Sequence, residues 1–228
     1  MTIETDLINA IQGMFGGALT FPLAIPTAAP DLFEAYILTI ILKEVIDENA
    51  VVSYEDRSGH MPTKFIFRTS PSYLSTATQD FTHAVIRFPG KPTLEGHIGI
   101  FIAGKSGVRC ESDIAILLRT EAETCRQTLS ALPRHSKILL TVECKFYTGN
   151  IPLHQARSFL GLQRDISYRN GTQFLVINTP SPTGVQLVNE HHAKGWDHDI
   201  HPSSATAVTR LQNSFQKVFQ GFNISRRW

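Results

Sequence analysis

The chain has 228 residues, 42% of them hydrophobic and 18% charged, with 21 Lys or Arg against 20 Asp or Glu. That length supports one full hydrophobic core, and so even a charge balance excludes the general basic field of a protein that coats nucleic acid. No apolar run has membrane-spanning length and the N-terminus lacks a signal-peptide pattern. Cys110, Cys125 and Cys144 are odd in number with no C-x-x-C spacing, so a soluble cytoplasmic protein with reduced thiols is expected.

The periodicity predicts a short amphipathic helix over Thr5–Phe15 and a Gly-, Pro- and Ala-rich connection from Gly16 to Pro30. Asp31 is read as the cap of a long apolar helix, Leu32–Asp47. Strands are expected at Val51–Tyr54, Phe65–Arg68, His83–Phe88 and Ile98–Ala103, separated by Gly59, Pro62, Pro71 and the Pro89-Gly90 turn. Gly104 to Gly107 turns the chain into a further strand, Asp113–Leu118, and Lys137–Tyr147 reads as another, bounded by Pro133 and Gly149. Pro152 suits the first turn of a helix whose apolar stripe is Leu153, Ala156, Phe159, Leu160 and Ile166. Gln173–Ile177 is a short buried strand and Val208–Phe219 a closing helix. Residues 1–30 then form a helix and connection, and residues 31–228 a single α/β (α+β) domain, a mixed sheet flanked by helices.

Three charges sit where apolar strands should carry none. Asp113 heads an apolar run with no polar face, and Glu143 and Lys145 lie inside another. Strand side chains alternate, so Glu143 and Lys145 share one face while Val142, Cys144 and Phe146 share the other. A buried carboxylate requires a partner or a metal. If the two strands are neighbours, Asp113 and Glu143 converge on one cation and Lys145 reaches past them. Phosphodiester hydrolysis needs this donor set, because a divalent metal neutralises the phosphate and makes a nucleophile of water. Mg²⁺, for which Mn²⁺ can substitute, takes oxygen ligands: two carboxylates and a backbone carbonyl, that of Cys144, suffice from the protein.

Asp113 followed by Glu143-X-Lys145 on the next core strand resembles the PD-(D/E)XK nuclease superfamily, over residues 95–166. The resemblance implies a restriction-endonuclease-like fold. It also implies that Asp113 and Glu143 hold Mg²⁺ and that Lys145 positions or helps deprotonate the attacking water. It points to Glu34 or Glu44, on the helix before the sheet, as a further acid near the metal, and to Gln155 and Arg157 on the helix after Lys145 as contacts to the nucleic-acid backbone. Two departures are visible: Ser112 stands where the family's name has proline, and Thr120 to Leu132 form an insertion, expected as a short helix. The implied function is a DNA endonuclease in restriction, antiphage defence or DNA repair, acting as a homodimer or as a subunit of a larger defence complex.

Charge distribution is compatible with that expectation. Residues 1–56 hold nine acids and one Lys, whereas residues 133–170 hold six Lys or Arg and two acids, so the region of Glu143 and Lys145 is the basic one. Two other readings stay open. One is a non-catalytic nucleic-acid-binding or assembly module. The other is a zinc-dependent hydrolase using the His191–His201 loop, where His191, His192, His198 and His201 crowd together with Trp196, Asp197 and Asp199. His83 and His97 read as hydrogen-bonded core histidines, and Ser225–Trp228 as a frayed tail. No G-x-S-x-G elbow is present, and Gly104-Lys105-Ser106-Gly107 lacks the order of a phosphate-cradling loop.

Overall fold

A computed structural model describes residues 2–15, 19, 21–166, 173–191 and 194–225; His192 and the tail residues 226–228 lie outside that set. In chain order the elements are α1 (Ile3–Phe15), β1 (Leu23–Ala24), α2 (Ala29–Asp47), β2 (Val51–Asp56), β3 (Phe65–Ile66), β4 (Thr82–Arg87), β5 (Leu94–Ala103) and β6 (Arg109–Leu118). They continue with α3 (Arg119–Gln127), β7 (Ile138–Lys145), α4 (Leu153–Ile166), β8 (Gln173–Ile177), α5 (Pro182–Glu190), β9 (Trp196–Asp197) and α6 (Ala205–Ile224). Among the described residues no helix is long and apolar enough to cross a membrane.

Seven strands form one mixed sheet in the order β2-β4-β5-β6-β7-β8-β9. Neighbours from β2 to β7 run antiparallel, and β8 and β9 extend the sheet in parallel. β1 and β3 make a separate parallel pair. The fold is therefore mixed α and β with a largely antiparallel sheet flanked by helices.

α2 is apolar nearly all round, and a helix of that kind belongs in the middle of a core. Its buried residues, among them Phe33, Ile37, Ile41 and Val45, share one cluster with Leu7, Ile11 and Phe15 of α1 and Leu211, Phe215 and Phe219 of α6. Ile114, Ile116, Leu140 and Val142 of the sheet complete it. α1 thus packs into the main core. α2 begins before Asp31, with Ala28 as its cap residue. Pro30 occupies the first turn, where its fixed φ is pre-set and its missing N–H is no loss, and Asp31 faces the helix dipole instead of capping it. On the other face of the sheet, Leu74, Ile100, Ala115, Leu117, Cys125 of α3 and Ile166 of α4 form a second cluster. Phe159 of α4 joins Leu175 and Ile177 of β8 in a third.

One distortion sets the position of Asp113. β5 and β6 stay in register, Ile98 opposite Ile114 and Ile100 opposite Ser112. Between those pairs Gly99 takes φ +58°, a left-handed conformation that glycine adopts without strain. Ile98 and Ile114 pack into the main core while Ile100 packs into the second cluster, so the strand pair rolls over at the level of Asp113.

Candidate functional site

β6 begins at Arg109, so Asp113 lies within the strand and not at its entrance as the apolar run suggested. β6 pairs with β7 only as far as Ile114 opposite Val142. Beyond that pair the Asp113 carboxylate takes the place of a ladder carbonyl: its Oδ2 accepts the Cys144 N–H at 2.7 Å. A residue's N–H and C=O leave a strand on the same side, so the Cys144 carbonyl points into the gap where β6 has left β7. Lys145 Nζ stands 2.5 Å from Glu143 Oε1 and 3.6 Å from Asp113 Oδ2. The two acids and the lysine expected to converge do meet, at the C-terminal end of β7.

More acids face that lysine than it can neutralise. Burial, then repulsion by Asp113 and Asp31, push the Glu34 carboxyl up to about 9 despite the opposing pull of Lys145, and Glu111 adds a further repulsion. Burial and repulsion by Asp113 raise Glu143 to about 7. Asp113 is raised by burial, partly offset by Lys145 and the Cys144 amide. Glu111 is raised by burial and by Asp113. Burial alone would lower the Lys145 ammonium, but Asp113 and Glu143 outweigh it and hold the side chain protonated. Like-charged carboxyls around one ammonium form a site short of positive charge.

α2 brings Glu34 to this group. Glu44, ten residues further along the same helix, lies about 15 Å away along the axis and faces Lys43, Asp47, Glu48 and Gln212 instead. Glu111 and Asp31 are members that the sequence reading did not assign to the site. Glu111 carried a signal, two residues from Asp113 on the same strand; Asp31 joins only through the helix start. Arg157 is exposed and Gln155 half-buried on the first turns of α4, and no side-chain hydrogen bond or ion pair joins either to the acids. Leu153 of the predicted apolar stripe is also exposed, because α4 rests on the sheet through Ala156, Phe159 and Ile166. The rim after β7 is held by Asn178, whose side-chain amide accepts from Tyr147 N–H at 2.7 Å and donates to Tyr147 O at 2.8 Å.

Among the described residues no three His, Cys, Asp or Glu groups stand in ligating geometry around one point. At the acid group Glu143 Oε1 is paired with Lys145 Nζ. In the histidine-rich loop the carboxylates are engaged: Asp197 accepts from Arg210 Nε at 2.7 Å, and Asp199 lies 3.7 Å from His201 and accepts from Ser204 at 3.2 Å.

A second polar cluster lies on β4 and β5 under α3. Glu95, fully buried, accepts two hydrogen bonds from Arg126 at 2.6 and 2.8 Å and one from His97 at 2.9 Å. Burial would raise its pKa, but these partners outweigh it and depress it. His97 is therefore a hydrogen-bonded core histidine as expected. His83 departs from that expectation: it stacks on His97 at 4.8 Å, and neither ring nitrogen has a protein hydrogen bond. Arg119 ties the cluster to β2 through two bonds of 2.9 Å to Glu55.

No protein-family model, curated protein or solved structure matches the chain.

Proposed function

We propose that the chain is a metal-dependent nuclease of restriction-endonuclease-like architecture that hydrolyses phosphodiester bonds, with DNA as its substrate. The observation that carries this reading is the meeting of Asp113, Glu143 and Lys145 where β6 separates from β7. An unneutralised set of oxygen donors fits a hard divalent cation, and Mg²⁺ with Mn²⁺ as its substitute is the natural choice. Asp113, Glu143 and the Cys144 carbonyl would hold it, with Glu34 beside them. When bound, such an ion supplies positive charge to the phosphate and lowers the pKa of a neighbouring water.

The chain's own groups do the rest. Lys145, kept protonated by its acidic neighbours, donates from Nζ to a phosphate oxygen or to the attacking water and orients it, and does not act as a base at neutral pH. The Glu34 carboxyl, raised to about 9 by burial and neighbouring acids, would release its proton if a cation were bound beside it. The three free cysteines suit a reducing compartment. A double-strand cut requires two such sites, which a homodimer or a larger defence complex provides. A second reading, a non-catalytic nucleic-acid-binding module, draws on the Glu143–Lys145 contact, which occupies a would-be ligand.

The test is incubation of supercoiled plasmid and of single-stranded DNA and RNA with wild type and Lys145→Ala, in Mg²⁺ or Mn²⁺ and in EDTA. Cutting by wild type alone, abolished by EDTA, is the expected result. Equal cutting by both proteins would refute the assigned site, and binding without cutting would favour the non-catalytic module.

A further inference from the structure

Beside the acids, the hairpin of β5 and β6 carries a different surface. Phe101 stands directly opposite Glu111, and Ala103 opposite Arg109, so the Phe101 ring and the Arg109 side chain lie on the face that bears Glu111. Tyr73 meets Phe101 edge-on, with centroids 5.3 Å apart and planes at 66°. The Arg109 guanidinium lies 4.6 Å from the Phe101 ring centre and 6.0 Å from that of Tyr73, and it donates to the Tyr73 hydroxyl at 3.0 Å. Arg109 is exposed and both rings are half-buried. Among the described residues Arg109 has these aromatic partners and no carboxylate.

Arg87, Arg119, Arg126, Arg134 and Arg210 each sit against an acid, and Arg68, which also lies over a ring, that of Phe81, is buried. Arg109 is instead a planar cation laid against aromatic rings, with its charge unneutralised and its outer side open. A guanidinium plane backed by rings offers a second flat molecule a stacking surface, and its charge attracts the phosphate attached to it. A nucleobase in a duplex is already stacked on both faces, so only an unpaired base can use such a surface.

We infer that Tyr73, Phe101 and Arg109 form a stacking platform for an unpaired base of the substrate, which makes single strands and frayed or flapped ends, not closed duplex, the substrate class. The inference rests on the nuclease reading, because Glu111 joins the platform to the acids around Lys145. Stacking is tolerant of sequence, since every base has a π face, so the platform confers strand-state preference without base specificity.

The experiment uses the full chain carrying Lys145→Ala, which keeps the probe intact. It measures fluorescence anisotropy with a labelled oligothymidylate and with its closed hairpin duplex, and the emission of a fluorescent purine analogue placed in the single strand. Single strands are expected to bind more tightly than duplex and to have the analogue's emission quenched. Arg109→Ala and Tyr73→Ala are each expected to weaken single-strand binding by about tenfold and to restore the emission. Arg109→Lys, with the charge but not the plane, should behave like Arg109→Ala. Thermal melting confirms that each variant is folded. Single-strand affinity and quenching unchanged in all three variants, or retained by Arg109→Lys, would overturn the platform while leaving the nuclease reading to stand on wild-type cutting. A wild type that neither binds nor cuts any nucleic acid would overturn both.

Discussion

The Asp113 side chain of β6 accepts the backbone N–H of Cys144 on β7, with 2.7 Å between nitrogen and Oδ2. A side chain thus closes the hydrogen bonding of a strand whose neighbour has moved away, and the same carboxylate is left facing Lys145. Asn keeps an acceptor at that place and Ala does not. Asp113→Ala, which leaves a buried N–H unpaired, should therefore be less stable than Asp113→Asn by about 1–3 kcal/mol in urea unfolding. Neither should retain cutting. Equal stability of the two variants would show that the amide finds another partner.

The alkaline limb of stability should come from the acid group. Glu34 is pushed up from its ordinary value of 4.5 to about 9 and Glu143 to about 7, so both carboxyls keep protons in the fold that the unfolded chain has lost. The unfolded state then binds fewer protons, and the contribution of these two groups, full below pH 4.5, falls as pH rises through those values. Glu34→Gln removes the larger part of that loss. At mildly alkaline pH it should melt above wild type by roughly 2–4 °C for each kcal/mol relieved, with little difference in acid. Melting curves at several pH values check this, and a variant that melts lower in alkali would contradict it.

On the acid side His83 contributes beside the depressed carboxylate of Glu95. Burial, with the neighbouring His97, Arg126 and Arg119, lowers the His83 pKa from 6.5 to about 3 against the opposing pull of Glu95; Glu55 also lies within 3.8 Å. The ring stays neutral in the fold while the unfolded chain takes up a proton. The His83 contribution is therefore full above pH 6.5 and is lost as pH falls towards 3. His83→Phe keeps a ring against His97 without a titrating nitrogen, so its stability should fall less steeply across that window. Identical slopes for the two proteins would assign the acid loss elsewhere.

Glu95 joins Arg126 of α3 to the sheet with no exposure to water. Glu95→Gln removes the charge and leaves a largely buried guanidinium unpaired, a change expected to cost about 3–5 kcal/mol in equilibrium unfolding. Hydrogen exchange should report faster opening of α3 than of α2, which is buried in the main apolar cluster. A loss below about 1 kcal/mol would mean that water or Glu123 takes over Arg126.

These residues also mark what could be read before folding. Glu143 and Lys145 were legible because period-two alternation fixes their common face whatever surrounds them, and Gln173–Ile177 because its apolar run has turn-forming residues near both ends. β5 extends four residues before its expected start, since Glu95 and His97 look polar in isolation and are buried only because α3 supplies Arg126 across the sheet. Phe65–Arg68 shortens to two strand residues, as Arg68 turns inward to lie 3.9 Å from the Phe81 ring centre and to donate to Ser72 O and Gly99 O. α5 and β9 were not anticipated: one is a short helix opened by Pro182, the other a two-residue strand with no periodicity to detect. Choosing Glu34 over Glu44 needed the rotation of α2 on the sheet, a tertiary quantity with no local sign.

Calorimetric titration of Mn²⁺ into wild type and Asp113→Asn, repeated in buffers of different ionisation enthalpy, tests directly whether these carboxyls hold one cation. Saturable binding is expected in wild type, with heats that vary with buffer because Glu34 and Glu143 surrender protons, and loss of that signal in the variant. Binding that is equal in both proteins and independent of buffer, or no binding in either, would contradict a cation site at Asp113, Glu143 and the Cys144 carbonyl.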